Sequence, residues 1–363
     1  METLRLRVDP ERLEEPEAQL ALERAAAILR AGGLVALPTE TVYGLGANAL
    51  DAAAVGKIFA AKERPSWDPL IVHVDGWAMA QMAARDVPAV ARALMKEFWP
   101  GPLTLLLPRA EAIPDAVTAG RDLVGVRMPA HAVALELIRR AGVPIAAPSA
   151  NRFGATSPTT AEHVLADLDG RIDAVLDAGP TAVGVESTVL DPNRSPMLVY
   201  RPGAITAAQI REVGGPVEHY QELVLPEGAE REALPSPGVG IRHYAPQATV
   251  VLVEDRKNGD MSLDVYESAV DFMKERVGVM LPEGLPGEHS VEESWSRLDF
   301  AEIFPWGRWS EPEELAQRLF AGLRYLDGLG CGAIVCPMPQ GDGIAVAIRD
   351  RLRKAAATEA LGH

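Results

Sequence analysis

Residues 38–49 read PTETVYGLGANA, so two threonine hydroxyls, a carboxylate and a phenol (Thr39, Thr41, Glu40 and Tyr43) crowd together just after an apolar run. A loop this rich in hydroxyls at a strand end suits a polar ligand, and it equally suits an ordinary surface turn. Gly44, Gly46 and Ala49 have the spacing of a dinucleotide-binding glycine loop, but five residues separate Pro38 from the first glycine. The tight strand-to-helix turn that such a loop requires is therefore missing. Lys62 and Arg64 come next, at the exposed end of a helix that Asp51 can cap and that must stop ahead of Pro65. There they either complement the helix dipole or clamp a polyphosphate, Lys as a point charge and Arg as a fork.

Arg127 closes the apolar strand in VGVRMP, where burial demands a carboxylate partner, internal or on a ligand. Ser149 and Asn151 lie just past a strand that ends at Ala147, ahead of a helix starting at Ser157 or Thr159, with Thr159 and Glu162 spaced as a capping box. Glu186, Ser187, Thr188 and Arg201 fall at strand edges. Hydroxyl loops and isolated cations at strand ends describe a site for an anionic small molecule or nucleotide and leave the reaction open. There is no Walker-type phosphate loop, no metal-ligand cluster and no Ser-His-Asp or Cys-His set in the sequence.

The elements that must hold these residues follow from hydrophobic periodicity. Strands are expected at LRLRV, GLVALP, PLIVHV, LTLLLP, LVGVRMP, PIAAP, DAVLDAG and STVLD, and amphipathic helices between them, from EPEAQLALERAAAILRA to TTAEHVLADL. That alternation implies an α/β domain on one large sheet over residues 1–210. Residues 211–247 lose periodicity and gain Gly, Pro and Glu, the composition of a linker. Over 248–363, strands at TVVLVE, VGVML and GAIVCP alternate with helices near 263–277, 311–329 and 343–356, which predicts a small three-stranded Rossmann-like sheet.

Two domains also fit 363 residues, beyond the size at which a single core keeps growing. The formal charge of −16 opposes broad binding to nucleic acid or anionic lipid, so any phosphate site must be local. The first residues alternate apolar and charged positions, with no signal-peptide pattern, and no run approaches the roughly 20 apolar residues that span a bilayer. A cytoplasmic protein with no membrane association is expected. Cys331 and Cys336 lie on one strand with Cα atoms about 16 Å apart, too far to bridge, and are expected as reduced core thiols.

Eight ordered stretches, PTETVYGLGANA, AAKERPSWDPLIVHV, WPGPLTLLL, VGVRMPAH, APSANRFGATSPTTAEHV, GVESTVLD, RPGAIT and SPGVGIRHYAP, closely resemble the YrdC-type threonylcarbamoyl-adenylate synthases in their longer, two-domain form. The resemblance implies a twisted, open YrdC-like α/β sheet domain with a concave basic site, followed by the smaller Rossmann-like domain. It implies a nucleotidyltransferase reaction in which L-threonine, bicarbonate and ATP give threonylcarbamoyl-AMP and pyrophosphate, with Mg2+ carried by the ATP phosphates and no protein-held metal. A downstream transferase complex then passes the group to adenosine 37 of tRNAs, and a weak direct tRNA contact is compatible with the fold. An RNA-binding module of this fold without turnover is the alternative. A carbamoyl-transfer role would need zinc modules of the C-x-x-C type, which the sequence lacks.

By matching position, the resemblance implies that Thr39, Thr41, His73, Arg127, Ala147 and Ser187 form the threonine pocket, with Arg127 holding the carboxylate. Lys62, Arg64, Asp68, Leu123, Ser149, Asn151, Ser157, Arg201 and His243 fall at the ATP site. Lys62, Arg64 and His243 would act by position and charge, without a dedicated general base. Asp68 stands where many relatives have Asn, and Leu123 where the position is often polar. Arg242, His243 and Tyr244 are expected to form a lid, the linker folding back over the site.

Overall fold

A computed structural model describes residues 2–221, 236, 244–253, 276–285 and 301–356. Two compact units emerge: Met1–Phe153, Ser157–Ala182 and Glu186–Gly240 form the first, and Gly154–Thr156, Val183–Val185 and Ile241–His363 the second.

The first unit is built on an 11-stranded mixed sheet. Its strands are β1 (Leu4–Arg7), β2 (Val35–Leu37), β3 (Gly44–Asn48), β4 (Ile71–His73), β5 (Leu103–Pro108), β6 (Leu123–Arg127), β7 (Ile145–Ala146), β8 (Ala174–Asp177), β9 (Thr188–Asp191), β10 (Met197–Arg201) and β11 (Val217–His219). The spatial order is β1-β8-β2-β3-β7-β4-β6-β5-β9-β10-β11. Helices α1 (Pro16–Arg30), α2 (Ala52–Lys62), α3 (Trp77–Ala83), α4 (Ala89–Phe98), α5 (Asp115–Thr118), α6 (Ala132–Ala141), α7 (Ala161–Leu168) and α8 (Ala207–Gly214) complete the unit. α1 buries Ala18, Leu22, Ala25 and Leu29, residues three and four apart, which is the stripe the periodicity predicts. The interior is Leu, Val, Ile and Ala almost throughout.

All eight strands expected in this half are present. Three more are not evident from periodicity. β3 lies inside the hydroxyl-and-glycine stretch, pairing antiparallel with β2 and β7, so that stretch is a loop only as far as Tyr43. β10 and β11 extend the far edge. α8, with a reciprocal capping box between Thr206 and Gln209, and β11 both fall in residues 207–219. The sheet therefore continues well past residue 210, and only the later part of 211–247 is linker in composition. Asp51 caps α2 as expected, accepting from the amides of Ala53 and Ala54. α7 is capped one residue later than the capping-box spacing indicates, by Thr160 accepting from the His163 amide.

The second unit carries a four-stranded, wholly parallel sheet, β12 (Thr249–Val253), β13 (Val277–Glu283), β14 (Glu302–Arg308) and β15 (Ala333–Pro337), in the order β12-β15-β13-β14. α9 (Pro312–Gly328) and α10 (Ala345–Ala356) are the helices expected at 311–329 and 343–356. The expected helix near 263–277 falls on residues outside the described set up to 275. The sheet has one strand more than its sequence suggests, because β14 contains Pro305 and Gly307 and reads as a loop; both residues are tolerated on an edge strand. Cys331 and Cys336 are free and buried. No described helix is long and apolar enough to cross a membrane.

Candidate active site

The first unit's sheet brings the polar residues of distant motifs into one row. Along the order β3-β7-β4-β6-β5-β9-β10, the row runs from the loop between β2 and β3, past Ala147 after β7, His73 at the end of β4 and Arg127 at the end of β6. It continues through Thr104 on β5 and Ser187 ahead of β9 to Arg201 on β10. His73 and Arg127 are register partners, and their side chains share a face. Gly125, two residues before Arg127, keeps that face open: a Cβ there would come within 3.2 Å of the Thr104 methyl.

One end of the row is a single hydrogen-bond chain. Arg127 donates from Nη1 to the Thr41 hydroxyl at 2.9 Å, Thr41 and Thr39 hydroxyls meet at 2.8 Å, and Thr39 donates to the Val42 carbonyl at 2.6 Å. With the Thr39 proton committed to that carbonyl, Thr41 must donate to Thr39, so every proton in the chain points away from Arg127. Arg127 Nε donates to the Gly101 carbonyl at 3.2 Å, and Nη2 lies 2.7 Å from Glu40 Oε1. That last contact is off the line of a hydrogen bond: Nη2 donates to nothing and neither Glu40 oxygen accepts one among the described residues. Arg127 is 3 % and Glu40 9 % exposed, so both internal partner and ligand readings of the strand-end arginine have a physical basis.

His73 is buried, and its Nδ1 has no partner among the described residues. Burial, and then the charge of Arg127, push its pKa down to about 3, so the ring is neutral. A histidine that titrates lower when folded takes up a proton on unfolding. Its contribution opposes folding as pH falls from the usual value near 6.5 towards 3. We expect His73→Gln to flatten the loss of unfolding free energy over that range by up to about 1.4 kcal/mol per pH unit, measured by urea denaturation at several pH values. An identical slope in the variant would assign the pH dependence to other groups.

The other end of the row is cationic. Arg201 donates from Nη2 to the Ser187 hydroxyl at 3.1 Å and from Nε to the Ser187 carbonyl at 3.0 Å, and Ser187 shares a hydrogen bond of 2.8 Å with Thr104. Gly203 lets this corner close, since a Cβ there would lie 2.4 Å from the Thr188 amide nitrogen. Ser157 donates to Glu186 at 2.5 Å. Lys62 does not project from an exposed helix end; at 1 % exposure, its Nζ donates to the carbonyls of Ser149, at 2.6 Å, and Asn151. The left-handed residue Glu63 ends α2 and turns Arg64 inward as well, where it meets the Asp68 carboxylate at 2.9 Å and the Pro69 carbonyl at 2.8 Å. Burial raises the pKa of Asp68, against the pull of Arg64, Lys62 and Arg201.

The structure thus brings together Thr39, Thr41, His73, Arg127, Ala147, Ser187 and Arg201 along the row, and Lys62, Arg64, Asp68, Ser149 and Asn151 beside one another. Leu123 opens β6 in a small apolar cluster with Ile71, Leu106 and Val189. Arg242 and His243 lie outside the described residues. Tyr244 belongs to the second unit, where its ring stacks on Phe320 with centroids 5.7 Å apart and Arg351 sits 5.2 Å from its centroid. Glu40, Thr104 and His131 have no assigned role in the sequence reading. A threonine inside the apolar run LTLLLP was the available signal for Thr104, and a carboxylate between two threonines the signal for Glu40.

Comparison with known proteins places this geometry. Residues 27–203 match the family described as "Telomere recombination", and residues 205–357 match "Threonylcarbamoyl-AMP synthase, C-terminal domain". A threonylcarbamoyl-AMP synthase of Pyrococcus abyssi is 42 % identical, with 95 % of each chain covered, and one of Bacillus subtilis is 42 % identical, with 98 % of each covered. Among solved structures, P. abyssi Sua5 complexed with L-threonine superposes with a TM-score of 0.82 at 39 % identity, covering 98 % of both chains.

Proposed function

The chain belongs to the threonylcarbamoyl-AMP synthase family, and we propose that its first unit makes threonylcarbamoyl-AMP and pyrophosphate from L-threonine, bicarbonate and ATP. The protein is an enzyme of the nucleotidyltransferase type that serves threonylcarbamoyl modification of tRNA. The observation that carries the reading is the full-length likeness to a protein complexed with L-threonine.

In this reading Arg127, backed by Thr41, takes the threonine carboxylate, with His73, Thr39, Ala147 and Ser187 around it. Lys62, Arg64, Ser149, Asn151, Ser157 and Arg201 take the phosphates and ribose of ATP, with Asp68 and the backbone of Leu123 at its margin. The amine captures bicarbonate to give a carbamate, whose oxygen attacks the α-phosphorus in line as pyrophosphate leaves. Buried guanidinium and ammonium groups already in place supply charge neutralisation without reorganisation. Magnesium would arrive on the phosphates, and the hydroxyl and amide oxygens of Ser149, Asn151 and Ser157 suit the waters of a hard cation. A cytoplasmic location and a partner transferase that consumes the product belong to the same proposal.

Pure full-length protein should release pyrophosphate only when threonine, bicarbonate and ATP are all present. Release without threonine would overturn the assignment.

A further inference from the structure

Resting on that reading of the site, we propose that Glu40 receives the α-ammonium of threonine and takes its proton, so that Glu40 and Arg127 act together as a receptor for the zwitterion. Glu40 is 9 % exposed, and neither carboxylate oxygen accepts a hydrogen bond among the described residues. Arg127 Nη2 forms an ion pair with it at 2.7 Å and donates no hydrogen bond among the described residues. Buried polar atoms left in that state cost free energy unless a ligand supplies partners. Nδ1 of the half-buried His131, at the start of α6, has no hydrogen-bond partner among the described residues either. Groups with unmet hydrogen-bonding capacity therefore meet where the loop ahead of β3 faces the end of β6.

Charge decides what they receive. A carboxylate beside the arginine would repel bicarbonate or a phosphate, whereas a neutral amino acid carries its anion and cation on one carbon and matches a guanidinium and a carboxylate lying side by side. The ammonium of threonine is the cationic group among the three substrates. The pair and the zwitterion are each neutral, so entry adds no net charge to a buried site.

The ammonium must lose a proton before it can react. That proton passes from nitrogen to a Glu40 oxygen, and the freed lone pair forms the N–C bond to bicarbonate. The C–OH bond then breaks, hydroxide leaving as water with the second nitrogen proton: the neutral amine and bicarbonate give carbamate and water.

The test compares wild type, Glu40→Gln and Glu40→Asp as full-length proteins, following pyrophosphate release from pH 6.5 to 9. In Glu40→Gln, kcat/KM for threonine should fall on the order of 100-fold at neutral pH, then climb about tenfold per pH unit as solvent deprotonates the amine. Wild type, which takes up the ammonium form, should stay level; Glu40→Asp should recover part of the loss, and the KM for ATP should hardly move. A pH-independent loss in Glu40→Gln, or none, overturns the proposal. If Glu40→Gln does not fold, calorimetry on wild type decides instead. Threonine should bind at least about tenfold more tightly than 2,3-dihydroxybutyrate, which replaces the ammonium by a hydroxyl, the scale of one charged hydrogen bond; equal binding overturns the proposal. An inactive wild type overturns the synthase reading, whereas an active wild type with an unaltered Glu40→Gln overturns the role of Glu40 alone.

Discussion

Replacing Arg127 by lysine is expected to raise the threonine concentration needed for half-maximal pyrophosphate release by about 10- to 150-fold, with the ATP requirement changed far less. The asymmetry follows from what the guanidinium does. Nε is committed to the Gly101 carbonyl and Nη1 to Thr41, while Nη2 faces Glu40 without a hydrogen bond. A lysine ammonium keeps the charge that compensates Glu40, yet it cannot hold the carbonyl, the hydroxyl and a carboxylate in one plane. The loss should therefore be of the order of one or two charged hydrogen bonds, about 1.5 to 3 kcal/mol. Arg127→Ala is the harsher change. It strips a buried carboxylate of its cation and should cost about 3 to 5 kcal/mol of folding free energy, read from urea denaturation, so threonine kinetics are better judged in the lysine variant. Equal shifts in the threonine and ATP requirements would refute the carboxylate assignment.

The position of Arg127 was legible in its sequence, but its neighbours were not. An arginine ending an apolar strand signals a partner; that the partner is Glu40, far away in the chain, depends on the order β3-β7-β4-β6, which local periodicity does not encode. The same holds for Arg201, Ser187 and Thr104, which meet because β5, β9 and β10 are neighbours. Strands made of Val, Leu and Ile were readable. β3 was not, because Gly44, Leu45 and Gly46 carry no alternation, and its burial comes from antiparallel partners on both sides. Lys62 shows the limit most sharply. Helix-end logic places a lysine in solvent, whereas two carbonyls from a loop almost ninety residues later draw it inside.

That placement makes Lys62→Ala the second substitution with a large expected effect. In the nucleotide clamp, Nζ would meet a phosphate, and its loss should weaken ATP handling by about 1.5 to 3 kcal/mol, roughly 10- to 150-fold in kcat/KM for ATP. Nζ also donates to the carbonyls of Ser149 and Asn151, so removing it leaves a half-buried and a buried acceptor without that donor and loosens the loop that carries both residues. An unsatisfied buried acceptor costs about 1 to 3 kcal/mol, and a fall in stability should accompany the kinetic loss. Asp68, buried against Arg64, Lys62 and Arg201, would lose one of three neutralising charges, which raises its pKa further. The two roles separate experimentally. If Lys62 only braces the loop, saturating ATP should restore full turnover and the denaturation midpoint alone should shift. If it also meets phosphate, kcat should stay depressed at saturating ATP, because the interaction strengthens as charge moves onto the departing pyrophosphate. Steady-state kinetics with each substrate varied in turn, alongside urea denaturation of the same preparations, would give both readings, and unchanged ATP kinetics would remove Lys62 from the clamp.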